Sequence, residues 1–233
     1  MVATGDETVR AIQKATKTIP IVALVGDMLG SGLVTSLARP DGNTTGVSIL
    51  TYEAEGKRQD ILIEAVPGPR LMAVLTDVNY TSAAQLDELQ KAARAHGVEF
   101  SIHRVARAEE IAAAMDSAQA SGATALNIVS SPLFYAHRHL IMERAAAAHL
   151  PTIYEFPETA EEGGFAAYGP RLIQLFQEVM AQQIVHLFGG SKVADIPVEQ
   201  ATKFELAINL KTANAMGVTV PATLVARADK VIE

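Results

Sequence analysis

The sequence predicts an α/β protein built on mainly parallel sheets, and three observations carry that expectation. Apolar, β-branched runs alternate with segments of helical period from one end of the chain to the other. The stretch TIPIVALVGDMLGSGLVTSLARPDGNTTGVS, residues 18–48, reads as a buried strand, a glycine-bearing loop, a helix, a turn and a second strand. Gly97, Gly122 and Gly189 each follow a helical pattern, where a left-handed residue commonly ends a helix. Repeated strand–helix–strand units imply right-handed crossovers and helices on both sheet faces.

Element by element, the apolar runs predict strands over 19–25, 45–50, 71–76, 98–103, 125–129, 152–154, 165–168 and 204–208. The intervening periodic segments predict helices over 7–15, 31–37, 55–66, 82–96, 108–121, 134–149, 172–188 and 210–216, with a last helix over 221–231. Asp77 and Ser130 end apolar strands just ahead of helices, where a short polar side chain caps free N–H groups. Five of the strands fall between residues 71 and 168, enough for a self-contained lobe, and the flanks hold too few for a second one of their own. The expected division is therefore residues 1–51 with 170–192 as a partial N-terminal lobe, and 52–169 with 193–233 as a C-terminal lobe.

Composition narrows the function classes. At 233 residues with 49% hydrophobic content, the chain is long enough for a sizeable core. The net charge of −7, with no Lys/Arg run, repels phosphate backbones and argues against a nucleic-acid partner. The absence of cysteine excludes disulfides, thiolate nucleophiles and Cys-ligated metals. His137 and His139 are two residues apart and so fall on different faces of a regular helix, which argues against a metal site. No Gly-x-Ser-x-Gly elbow, P-loop or Gly-x-Gly-x-x-Gly after a strand is present, so no catalytic residues and no cofactor are expected. No stretch approaches the roughly 18 apolar residues of a membrane helix. The opening MVATGDETVR lacks the basic and apolar regions of a signal peptide.

Several motifs, in this order and spacing, resemble one family. They are IPIV, then GD followed by GLVTSLARPDGNTTGVS, SSPLFYAHRHLI, LPTIYEF, GGFAAYGP and IPVEQATKFELAINLKTANAMGVTVP. The chain is similar to the periplasmic substrate-binding proteins of ABC transporters, in the tryptophan/tyrosine-type subgroup. The resemblance implies a type I-like periplasmic binding protein fold, two parallel-sheet lobes that close on a solute by hinge motion, and an ABC permease as partner. It implies an amino-acid-like, often aromatic, ligand and a periplasmic location. Against that pattern, the chain begins where members already have a signal peptide and the first strands of lobe 1. The expectations are a truncated N-terminal lobe and, if the chain is the full product, a cytoplasmic location. The strand over 19–25 is expected to lack a parallel neighbour, and such an open edge favours a homodimer. The rival readings are a cytoplasmic ligand-sensing domain, a racemase-like enzyme, and a remnant that dimerises without binding.

In parallel α/β sheets ligands sit outside the carboxyl ends of the strands, which selects loop positions independently of the family. Thr4, opening the first helix, is a carboxylate-binding hydroxyl or an ordinary cap. Asp27 accepts from a ligand ammonium or caps the helix over 31–37. Asp77 and Asn79 contact ligand or cap. Ser130 and Ser131 offer hydroxyls to a carboxylate, and Phe134 packs on an apolar ligand group or joins the core. Tyr154, followed by Glu155 and Phe156, suits the wall of an aromatic pocket. Tyr168 contacts ligand or stiffens the hinge, and Gly169 allows close backbone approach. Arg171 is either a carboxylate clamp or a solvated residue at a helix start.

Overall fold

A computed structural model describes residues 1–68 and 70–233. In chain order it contains β1 (Val2–Thr4), α1 (Asp6–Ala15), β2 (Ile21–Val25), β3 (Thr44–Ser48), α2 (Glu55–Ala65), β4 (Leu71–Asp77), α3 (Ala83–Ala95), β5 (Glu99–Val105) and α4 (Ile111–Ala120). There follow β6 (Ala125–Ile128), α5 (Pro132–Ala136), α6 (Arg138–Ala147), β7 (Thr152–Tyr154), α7 (Pro157–Glu161), β8 (Ala166–Gly169), α8 (Leu172–Gln174) and α9 (Ala181–Phe188). The chain closes with β9 (Glu199–Gln200), β10 (Glu205–Asn209), α10 (Leu210–Ala215), α11 (Ala222–Val225) and β11 (Lys230–Ile232).

Two compact units result. Met1–Tyr52 and Pro170–Phe204 form the first; Glu53–Gly169 and Glu205–Glu233 form the second. The return to the second unit thus comes after Phe204 and not after residue 192. Residues 193–204 stay with the first unit because β9 pairs in parallel with β3, and because Thr45 donates from Oγ1 to the Ile196 carbonyl at 2.7 Å.

The first unit is a parallel sheet in the order β1-β2-β3-β9. All five residues of β2 are buried, as a strand covered on both faces requires. Its odd positions Ile21, Ala23 and Val25 pack with Val9 of α1, Met28, Leu33 and Val34. Each large aliphatic side chain buried in this cluster stabilises the unit by roughly 1.5–3 kcal/mol. The hydroxyls of β3 are all engaged: Gln13 Nε2 donates to Thr44 Oγ1 at 2.9 Å, Thr45 is bonded as above, and Met28 N donates to Ser48 Oγ at 3.0 Å. Gly46 has φ +144°, and a Cβ there would lie 1.9 Å from the Ala23 carbonyl oxygen, so only glycine lets β2 and β3 pair at this point.

Three expectations are corrected in this unit. The strand of 19–25 does not lack a neighbour: β1 pairs with it in parallel, Val2 opposite Val22 through Thr4 opposite Leu24, so the open edge is that of β1. No helix forms over 31–37. The Asp27 carboxylate accepts from Leu29 N and Gly30 N at 3.0 Å each, Gly32 takes φ +66°, and Leu33 N and Val34 N both donate to the Met28 carbonyl, which closes turns instead. The helix over 172–188 is continuous but opens into a π-helical segment, Leu175–Met180, between α8 and α9. The wider turn changes the phase of the helix. Gln183 is therefore the buried residue of α9, donating to the Gly46 carbonyl at 3.0 Å and the Pro197 carbonyl at 3.2 Å, and Val185 and Phe188 are exposed.

The second unit carries a seven-stranded sheet in the order β11-β10-β8-β7-β6-β4-β5, parallel except where β8 meets β10. Alternation along β4 sends Met72 to a core shared with α2, α10 and α11, and Ala73 and Leu75 to a core shared with α4 and α6. The end of the chain is a strand and not a helix: α11 stops at Val225 and residues 230–232 pair in parallel with β10. Asp229 fixes that pairing by accepting from Leu206 N at 2.8 Å. The helix over 134–149 is broken at His137 into α5 and α6. Gly97 and Gly122 are left-handed at helix ends as expected; after α9 it is Gly190, φ +91°, that takes this role, and Gly189 remains helical.

Candidate functional site

The carboxyl ends of β4, β6, β7 and β8 bring five of the expected residues of the second unit into two bonded clusters. In the first, Ser131 donates from Oγ to Asp77 Oδ2 at 2.6 Å, and Asn79 N donates to Asp77 Oδ1 at 2.9 Å. Ser131 also caps α5 by accepting from Leu133 N at 3.1 Å, while the α3 cap is Ser82, not Asp77. Asp77 is only 1% exposed and both its oxygens are engaged, so it braces the loop and does not face a ligand. Asn79 reaches the Ala106 carbonyl through Nδ2 at 3.2 Å, tying the β4 and β5 loops together.

The second cluster begins at Ser130, whose N–H donates to Glu55 Oε1 at 2.7 Å. Glu55 pairs with Arg58 at 2.7 Å one helical turn on, and Arg58 Nη1 donates to the Tyr168 carbonyl at 3.3 Å. Both side chains are enclosed, at 3% and 0% exposure. Burial pushes the Glu55 carboxyl upward, against the opposing pull of the Arg58 guanidinium and the Ser130 N–H.

Phe134 lies in the core with Ile128, Ile141 and Tyr154. Tyr154 is 5% exposed, with burial pushing its phenol up and a bond to Thr152 pulling it down; it belongs to this core and also lines the narrow pocket between the β6 and β7 loops. Its ring lies on Gly164, where a Cβ would approach to 2.8 Å. Gly169 is held by close approach: a Cβ would stand 1.9 Å from the Glu155 carbonyl oxygen. Tyr168 packs its ring partly against the α2-side core.

Between the β6 and β7 loops lies a narrow pocket lined by Ser130, Ser131, Phe134, Tyr135, Arg138 and Phe156 among others. Its free volume of about 20 Å³ accommodates one water and not an amino acid. Its rim holds Tyr135 and Arg138, which the sequence reading did not select. Tyr135 meets Phe156 edge-on at 5.1 Å between ring centroids, and Arg138 stacks over Tyr135 at 4.6 Å. Arg138 in turn holds Glu162 through two bonds of 2.6 and 3.0 Å, which keeps the Glu162 carboxyl below its usual range. The available signal was the i, i+3 spacing of Tyr135 and Arg138 on the SSPLFYAHRHLI segment.

In the first unit, Thr4 is exposed at the end of β1, and α1 starts behind Gly5 without a side-chain cap. Asp27 is half-buried and caps its own turn. It lies near Asp6, whose carboxyl is pushed up by burial and pulled down by Ser31 and Arg10. Leu50 follows β3 with φ +53°, held by its N–H to the Gly26 carbonyl at 2.9 Å. Among the described residues no cluster of metal-ligating side chains occurs, and no helix is long and apolar enough to cross a membrane.

Comparison with known proteins places this architecture. The tyrosine-binding protein of Clostridioides difficile strain R20291 is 24% identical over 216 residues, which are 92% of this chain and 61% of that protein. The chain thus spans about 61% of the length of this curated relative. A conserved domain protein from Vibrio cholerae superposes with a TM-score of 0.84 at 24% identity, covering 99% of this chain and 77% of the other. An ABC domain in complex with L-Trp from Streptococcus pneumoniae does so with a TM-score of 0.82 at 22% identity, covering 99% and 78%. These likenesses establish the type I-like periplasmic binding protein fold. The model of the ABC transporter substrate-binding protein family matches residues 1–232, and that family consists of substrate-binding proteins and not enzymes. This chain belongs to the ABC transporter substrate-binding protein family.

Proposed function

We propose that the chain binds a free aromatic amino acid, L-tryptophan or L-tyrosine, outside the cytoplasmic membrane and presents it to an ABC permease. The observation that carries this reading is the cluster at the carboxyl ends of β6 and β7. There the Ser130–Ser131 hydroxyls stand beside the Tyr135–Phe156 ring pair and Arg138. A carboxylate finds the Ser130 hydroxyl as a donor in such a cluster, the Ser131 proton being held by Asp77, and an aromatic side chain finds rings for edge-on or stacked contact. The water-sized volume of the pocket means that the solute rests on the outer surface of these loops. Relatives known as a tyrosine-binding protein and as an L-Trp complex support the ligand class. Binding proceeds by closure of the two units on the solute, with the loops carrying Thr4 and Asp27 as the first unit's contribution. A homodimer through the open edge of β1 is part of the same proposal, supported by the exposure of Val2 and Met1 along it.

A thermal-shift screen against the amino acids and simple aromatic acids tests the ligand. A saturable upward shift with L-tryptophan or L-tyrosine is expected, since a ligand at one hundred times its Kd stabilises by about 2.7 kcal/mol. A cooperative melt that no candidate moves would overturn the reading. Light scattering of the purified chain at micromolar concentration checks the dimer, and a stable monomer would remove it.

A further inference from the structure

One layer of the second unit is built against the ordinary logic of a protein core. Between α2 and the sheet, Glu55, Arg58, Gln59 and Asn127 are all buried, the last three at 0% exposure. Gln59 spends its amide nitrogen on the Leu89 carbonyl at 2.9 Å. Among the described residues, Glu55 Oε2, Gln59 Oε1 and both amide atoms of Asn127 find no hydrogen-bond partner. Buried charges paired in this way are commonly no more stabilising than apolar residues of the same volume, and half-satisfied polar groups are worse. A stability argument alone therefore does not account for the layer.

Its connections supply a different account. Glu55 holds the N–H of Ser130 at the end of β6, and Arg58 holds the carbonyl of Tyr168 at the end of β8. The strand β7 separates β6 from β8 in the sheet, so the pair spans three neighbouring strand ends. Gly169, next to Tyr168, is the last residue before the chain leaves this unit, and Glu55 lies two residues after the chain enters it at Glu53. One buried ion pair thus fastens both the loop carrying the hydroxyls and the backbone at two crossover points.

We infer that Glu55 and Arg58 are positioning residues for solute binding: they set the Ser130–Ser131 loop against the Tyr168 backbone, so that the strand-end surface is formed before the solute arrives. The inference rests on the binding reading above. A preformed site avoids the ordering cost of binding, so loss of the pair loosens the loop in the free protein and weakens affinity.

The test compares the wild-type chain with the double variant Glu55→Leu/Arg58→Met and the milder Glu55→Gln, each kept well below its melting temperature. Site-resolved amide hydrogen exchange of the ligand-free proteins reads the loop directly, and calorimetric titration with L-tryptophan reads affinity. The expected result is at least tenfold faster exchange at the Ser130 amide, with protection in β4 and β6 retained, and at least tenfold weaker binding in the double variant. Glu55→Gln, which keeps an acceptor for Ser130, should lie between. If the double variant does not fold, Glu55→Gln alone must show both effects. Unchanged Ser130 exchange overturns the inference, as does faster exchange with unchanged affinity. A wild-type chain that binds no aromatic amino acid sinks the functional reading instead, and the exchange result then decides whether the pair braces the loop at all.

Discussion

At the residue scale, the expected site residues divide by whether their polar atoms are already committed. Asp77 sits at a strand end, as ligand-binding carboxylates do, but Ser131 and Asn79 occupy its two oxygens. Asp77→Ala therefore removes two charge-assisted bonds and leaves Ser131 Oγ without this acceptor. A destabilisation of about 1.5–3 kcal/mol per bond to a charged group is the expected scale, measured by urea unfolding. Asp77→Asn, which keeps one acceptor, should lose less. An Asp77→Ala variant of unchanged stability would mean that the brace is not formed in solution. The position of Asp77 was legible in the sequence, but its occupancy was not. The hydrogen bond that occupies it spans 54 residues, and no local pattern encodes such a contact. Tyr154 shows the same limit. Its place at a strand end was evident, but the packing of α7 and Gly164 that encloses its ring was not.

Arg138 and Glu162 give the residue scale a pH dependence. The Glu162 carboxyl is held below its usual range first by its bonds to Arg138, so its folded-state pKa lies below the unfolded one. The sign follows: the stabilising contribution is complete above the unfolded value and is lost as pH falls through the folded value. Because the pair is partly open to solvent, with side chains 21% and 32% exposed, the magnitude is expected under about 1 kcal/mol. Unfolding midpoints of wild type and Arg138→Met, followed from pH 6 to pH 3, should converge as the pH falls. Parallel curves would show that the pair contributes no pH dependence.

At the scale of elements, the long apolar strands and the long periodic helices were legible because burial on both sheet faces leaves a compositional trace. The failures are short or tertiary. β1 has three residues, and only its pairing with β2 makes it a strand. The segment over 31–37 has helical spacing, but seven residues that include Gly32 do not overcome the cost of helix nucleation. The end of the chain carries alanines in helical period, yet pairing with β10 prevails over that propensity. The π-helical segment of 172–188 is invisible to a periodicity argument that assumes one regular turn throughout. A Cβ at Gly46 would overlap the Ala23 carbonyl oxygen, so Gly46→Ala should destabilise by at least about 1–3 kcal/mol, the scale of overpacking, with backbone strain added. Calorimetric melting that leaves the transition unchanged would contradict the register of β2 and β3.

For the molecule as a whole, the order of the motifs carried the family, and the structure adds the division of labour within the second unit. One strand end is braced by Asp77, another by a buried ion pair, and the surface between them carries hydroxyls, rings and a guanidinium. The most direct measurement is isothermal titration of the purified chain with L-tryptophan and L-tyrosine at several temperatures. Saturable one-site binding to at least one of them is expected, with a negative heat-capacity change from burial of the aromatic ring. No binding heat for either at any temperature, from a chain that melts cooperatively, would contradict the account.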